Sequence, residues 1–103
     1  MASEIYITKT RVRALFGSTG LTRTKVREFI KDSKGRIIDI VKIAHFIIRD
    51  EAWNNEMYFR PGTVLIRDMQ DSHLYVISIE DFMQYYSLEA LIDSETDPED
   101  TMP

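Results

Sequence analysis

The residues best placed to do chemistry together lie in the run TRTKVREFIK, from Thr22 to Lys31. At about 100° per residue a helix here brings Arg23, Arg27 and Lys31 onto one line, at i, i+4 and i+8. Thr24 lies beside them on the outward side, and Val26, Phe29 and Ile30 form the neighbouring stripe. Like charges four residues apart repel by roughly a few tenths of a kcal/mol per pair, so an anion facing the row stabilises it, and phosphate is the first candidate. Thr22 stands where an N-cap should, its hydroxyl able to accept a first-turn N–H, which points the positive helix end the same way. A solvated basic face is the plain alternative.

Other chemistry is missing from the sequence. It holds no phosphate-cradling loop, paired-His motif, nucleophile beside a base or Gly-rich cofactor fingerprint, so no catalysis, metal or cofactor is expected. The carboxylates gather at helix starts and near the C-terminus, where solvation and the helix dipole account for them. His45 has no second ligand at metal spacing and reads as a half-buried structural histidine; the lone Trp53 reads as closing the edge of a core. With no cysteine and no signal-like start, the expected compartment is the cytoplasm. Asp39, Lys42 and His45 interrupt the longest apolar run, Ile37 to Ile48, so no membrane span is expected.

Charge is divided along the 103 residues. Met1 to Lys42 carries ten Lys and Arg against four Asp and Glu, a net of +6, and Ile43 to Pro103 carries three against thirteen, a net of -10. The total of -4 argues against indiscriminate nucleic-acid binding, whereas the basic first part suits an anionic ligand.

The elements that must position the row follow from periodicity. Ile5 and Ile7 alternate with Tyr6 and Thr8 as a short strand, and Thr8 then caps a helix over about Lys9 to Phe16 with Val12, Leu15 and Phe16 as its apolar face. Gly17 to Gly20 make a turn to the second helix at Thr22. Asp39 caps a third helix over Ile40 to Trp53, apolar around most of its circumference and hence a core pillar. TVLIRDM and HLYVIS, flanking Gln70 to Ser72, form a hairpin over 63–77. Ser78 caps a fourth helix carrying Phe82, Met83, Tyr85, Tyr86, Leu88, Leu91 and Ile92, and residues 93–103 form an acidic disordered tail after a domain of residues 1–92.

YITKTRVRALFG, from Tyr6 to Gly17, followed by Leu21, Thr22, Arg23, Thr24, Lys25, Val26, Phe29 and Ile30, resembles the excisionase and MerR-like winged helix-turn-helix families. The likeness runs over Tyr6 to Ile48, with a turn about three residues longer than usual in those families. It implies an α+β, mostly helical fold of about four helices and one β-hairpin, the hairpin serving as a wing. It also implies a sequence-specific DNA-binding protein, either a small transcriptional regulator or an excisionase-like recombination factor of a phage or other mobile element. In that reading Thr24, Arg27 and Lys31 face base edges, Arg23, Lys25, Lys34 and Arg36 meet phosphates, and Arg11 and Arg13 support from the first helix. A homodimer on paired half-sites is expected, from the apolar faces of the third and fourth helices. The alternative is a non-enzymatic protein-interaction module, such as a phage-type inhibitor or assembly adaptor, that meets its partner through apolar helices and the acidic C-terminal part.

Overall fold

Strand alternation, rather than helical periodicity, governs most of the regular structure among the described residues. A computed structural model describes residues 4–7 and 11–85, with side chains from Val12 onward. The order is β1 (Glu4–Ile7), β2 (Arg11–Phe16), α1 (Arg23–Ile30), β3 (Gly35–Lys42), β4 (His45–Asp50), β5 (Asn55–Phe59), β6 (Thr63–Asp68), β7 (Leu74–Ser78) and α2 (Ile79–Tyr85). One antiparallel sheet has the order β1-β2-β6-β7 and the other β3-β4-β5. The second sheet is a meander that, with α1, is inserted between β2 and β6.

The expected mostly helical winged helix-turn-helix domain of about four helices is therefore corrected to a mainly β protein with two helices among the described residues. Two segments account for the difference. RVRALF reads as helix because Val12, Leu15 and Phe16 fit a helical stripe, but it pairs with β1 on one side and β6 on the other, its residues alternating between the two faces of the sheet. Val12 and Ala14 lie against Val64, Ile66 and Phe82, whereas Leu15 joins the other core. The Ile- and Val-rich run after Gly35 is a hairpin, not a core pillar. Phe46, Ile48 and Asp50 point inward, alternating with His45, Ile47 and Arg49, and the chain reverses at Ile43 and Ala44, where Ala44 takes the left-handed φ of 64°. β-branched residues lose χ1 freedom in a helix and pack well on a pleated sheet, so tertiary pairing decided a pattern that periodicity left open. The expected homodimer loses one motive with this helix.

The helix at Thr22, the hairpin over 63–77 and the helix after Ser78 are present. The hairpin β6–β7, however, is not a projecting wing: β6 lies between β2 and β7, with Val64, Leu65, Ile66 and Leu74 buried. The Asp81 N–H donates to the Ser78 hydroxyl at 3.1 Å, and Phe82 of α2 is buried against the sheet. Tyr86, Leu88, Leu91, Ile92 and the tail of residues 93–103 lie outside the described residues.

The four-stranded sheet thus has a core on each face. Under one face Leu15, Leu65 and Leu74 meet Val26, Phe29 and Ile30 of α1 and Phe46, Ile48, Met57 and Phe59 of the second sheet; α2 covers the other. Two joints fix the inserted unit. Gly17 donates its N–H to the Thr63 carbonyl at 2.9 Å, and a Cβ there would come within 2.1 Å of the Arg60 carbonyl oxygen, so only glycine fits without backbone movement. Asp50, 1% exposed, accepts from the Ala52 N–H at 3.2 Å and the Leu74 N–H at 3.0 Å, tying the β4–β5 turn to the start of β7.

Candidate nucleic-acid interface

Helix α1 is held at both ends and along one side. Thr22 is extended, at φ -101° and ψ 159°, and its hydroxyl accepts from the Lys25 N–H at 3.2 Å, which is the cap the sequence implies. Val26, Phe29 and Ile30 are buried. At the other end Arg67 donates to the carbonyls of Phe29 at 3.0 Å and Lys31 at 2.7 Å, placing a cation on the negative helix terminus. Arg67 stands directly opposite Arg13 in the β2–β6 pair, and both line a depression that also holds Glu28, Asp32 and Asp68. Arg13 lies with its guanidinium carbon 5.8 Å from the Phe29 ring centroid. Arg67 is thus a positioning residue that helix-centred reading missed, since a strand arginine signals nothing until its cross-strand partner is known.

With the apolar stripe fixed, the cationic row is turned outward beside β3, a sheet edge. Arg23 and Arg27 line a trough with Ile37, Ile38, Asp39 and Ile40, and Arg27, Lys31 and Arg36 line its continuation with Ile30, Gly35 and Ile37. The helix runs opposite to the strand, so the sequence Lys31, Arg27, Arg23 ascends β3 toward the Ile43–Ala44 turn. At 1.5 Å rise per residue Arg23 and Arg27 stand roughly 6 Å apart along the axis, and Lys31 follows as the C-cap residue, where a ψ of 139° takes the chain out of the helix. From Thr22 to Arg36 there are six Lys and Arg against Glu28 and Asp32, a local net of +4 in a chain of net -4.

The expected site residues divide as follows. Arg23, Arg27 and Lys31 come together in the trough and form no ion pair among the described residues. Thr24 and Lys25 are exposed on the same helix, and Lys34 is exposed in the turn before β3. Arg36 is at the trough but bonds Glu51 at 2.6 Å. Arg13 lies outside the trough, in an adjoining depression of mixed charge that it lines with Lys31, Glu28, Asp32, Arg67 and Asp68. Arg11 opens β2, and its side chain lies outside the described residues.

The outer face of the three-stranded sheet shows a second division. At one end Arg36 and Arg49 stand opposite one another and share Glu51, and Arg49 also bonds Glu56 at 3.1 Å and Asn54. Arg36 first, then Arg49, hold the Glu51 carboxyl below its ordinary range, so this end is neutralised internally. At the other end Lys42, His45, Tyr58 and Arg60 gather without a carboxylate paired to them among the described residues. Tyr58 brings its hydroxyl within 2.5 Å of His45 Nδ1 and its ring within 5.8 Å of the Arg60 guanidinium carbon. Reading a helix over Ile40 to Trp53 concealed this group; alternation of His45, Ile47 and Arg49 was the signal that would have revealed it.

Desolvation in the hairpin lowers the pKa of His45 below 6.5, and Lys42 and then Arg60 lower it further. A neutral ring suits the geometry, with Nδ1 accepting from the Tyr58 hydroxyl. NMR titration of His45 should give a midpoint below that of a histidine in an unstructured peptide, and Lys42→Ala should raise it. A midpoint at or above the peptide value would show that the positive end of the sheet is not where the structure has it.

Fold and site together define a two-sheet antiparallel protein with a cationic trough between α1 and a sheet edge. Comparison with protein-family models, curated proteins and solved structures gives no match. Among the described residues no helix is long and apolar enough to cross a membrane, and no group of His, Cys, Asp or Glu stands together as a metal site.

Proposed function

We propose that this is a cytoplasmic, non-enzymatic protein that binds double-stranded DNA through the exposed row of α1, serving as a small regulator or recombination accessory factor. The observation that carries the reading is the contrast among its arginines. Arg36, Arg49 and Arg67 are engaged within the protein, whereas Arg23 and Arg27, on a capped helix, and Lys31, its C-cap residue, face solvent with no ion pair among the described residues. Phosphates fit such a row because each contact releases counterions. On random sequence Arg27 is a backbone contact like Arg23 and Lys31, and on a preferred sequence Thr24 and Arg27 are the side chains of α1 suited to reading base edges. Within the trough, Asp39 repels phosphate and keeps the backbone on the side of Arg23 and Arg27.

Titration of a random-sequence duplex against salt tests this directly. The three phosphate contacts of the α1 row contribute about -3 to the slope of log K against log salt. Absence of binding at low salt would instead favour a protein partner, for which the exposed aliphatic residues of β3 are the available surface.

A further inference from the structure

The β3–β4 turn projects an aliphatic side chain from a cationic surround. Ile43 is 85% exposed at the tip and Val41 is 55% exposed beside it, although the inward residues of the same hairpin, Phe46 and Ile48, are almost completely buried. The exposure is built in by register. The β3–β4 pairing shifts between Ile37 and Asp39 and again between Ile40 and Lys42, so Ile38 and Val41 are extra residues turned out of the ladder. Ala44, buried at the turn, holds a left-handed φ of 64°, which fixes how Ile43 is presented. Around the tip stand Lys42, Arg60 and the His45–Tyr58 pair, and the α1 row rises along β3 toward the same place.

We infer that the β3–β4 turn is a wedge for duplex DNA, with Ile43 entering between adjacent base pairs while Lys42 and Arg60 hold the flanking phosphates. This rests on the DNA reading of α1. An apolar side chain between base steps unstacks them and bends the duplex, and the bend brings more of the backbone against basic protein surface. Here that surface exists on two sides of the tip: the α1 row beside the edge of β3, and Lys42 with Arg60 on the outer face of the sheet. An anionic bilayer would also accept a branched aliphatic with a lysine beside it, but it has no use for the row of Arg23, Arg27 and Lys31 running down the edge of the strand away from the tip.

The test uses the full chain and a duplex with a donor and an acceptor dye at its ends and 2-aminopurine within it. Parent protein should shorten the end-to-end distance and raise 2-aminopurine fluorescence. Ile43→Ser should still bind through the α1 row yet lose most of both signals, and Ile43→Leu should keep them. The side chain is so exposed that the folded spectrum should be the same in all three proteins. Equal bending and unstacking by parent and Ile43→Ser would overturn the wedge and leave the DNA reading intact, whereas no binding by the parent would overturn the DNA reading itself. Ile43-dependent binding to phosphatidylserine vesicles, with DNA bending unaffected by Ile43→Ser, would overturn the wedge in favour of a lipid surface.

Discussion

Asp50→Ala is expected to lower the free energy of unfolding by about 2–4 kcal/mol, on the scale of orphaning two backbone donors of which one is buried. The carboxylate is 1% exposed, accepts from Leu74 and Ala52, and has His73 Nδ1 at 3.4 Å, within ion-pair range but not aligned as a hydrogen bond. Alanine removes both acceptors and leaves the Leu74 N–H in the core with no partner. An asparagine side chain keeps one acceptor oxygen and presents an amide N–H₂ to the other donor, so Asp50→Asn should lose less than Asp50→Ala. Urea denaturation at neutral pH measures the order: the midpoint falls from the parent to Asp50→Asn to Asp50→Ala with little change in slope. A midpoint for Asp50→Ala equal to the parent's would mean that the Glu51–Asn54 turn does not depend on the carboxylate.

Asp50 also shows why much of this fold was hidden in the sequence. Its role depends on contact with Leu74, 24 residues away, and no local pattern encodes that pairing. What could be read were features decided within a few residues: the Thr22 cap, the Val26, Phe29 and Ile30 stripe, the hairpin around Gln70 to Ser72 and the Ser78 cap. What could not be read were segments whose apolar residues satisfy two periods at once. Val12, Leu15 and Phe16 make an acceptable helical face, and only the burial of Ala14 against the opposite core reveals a central strand with both sides covered. The run from Ile37 to Ile48 is apolar on nearly every side because its bulges turn Ile38 and Val41 outward, so its alternation is broken where it was most needed.

The candidate site was more legible than the fold, for a physical reason. A helical row of cations is a local object, complete within the stretch from Arg23 to Lys31, and it survives replacement of everything around it. The expected contributions of Arg11, Arg13 and Arg36 depended on neighbouring elements and changed with them: Arg13 now lies by Phe29 and Arg36 pairs with Glu51. Lys42 and Arg60 joined the surface only when the third helix became a hairpin.

Replacing Arg23 and Arg27 together by alanine should therefore separate function from folding more sharply than any other change. Both side chains are exposed and form no ion pair among the described residues, so stability should stay within about 0.5 kcal/mol of the parent. Binding should not. Losing two phosphate contacts reduces the magnitude of the salt slope by about two, and at 0.1 M salt the same two increments of about 0.9 amount to roughly a 60-fold loss of affinity. The single variants assign the roles. Arg23→Ala should weaken all duplexes alike and reduce the slope by about one, as a phosphate contact does. Arg27→Ala, if its guanidinium grips a guanine edge, should cost about 1–3 kcal/mol on preferred sequences and less on others, flattening the preference at one base position. Uniform weakening by Arg27→Ala would make it a second backbone contact. A double variant that keeps the parent's affinity and salt slope would remove α1 from DNA binding altogether, and loss of a protein partner in that same variant would assign the row to a protein surface.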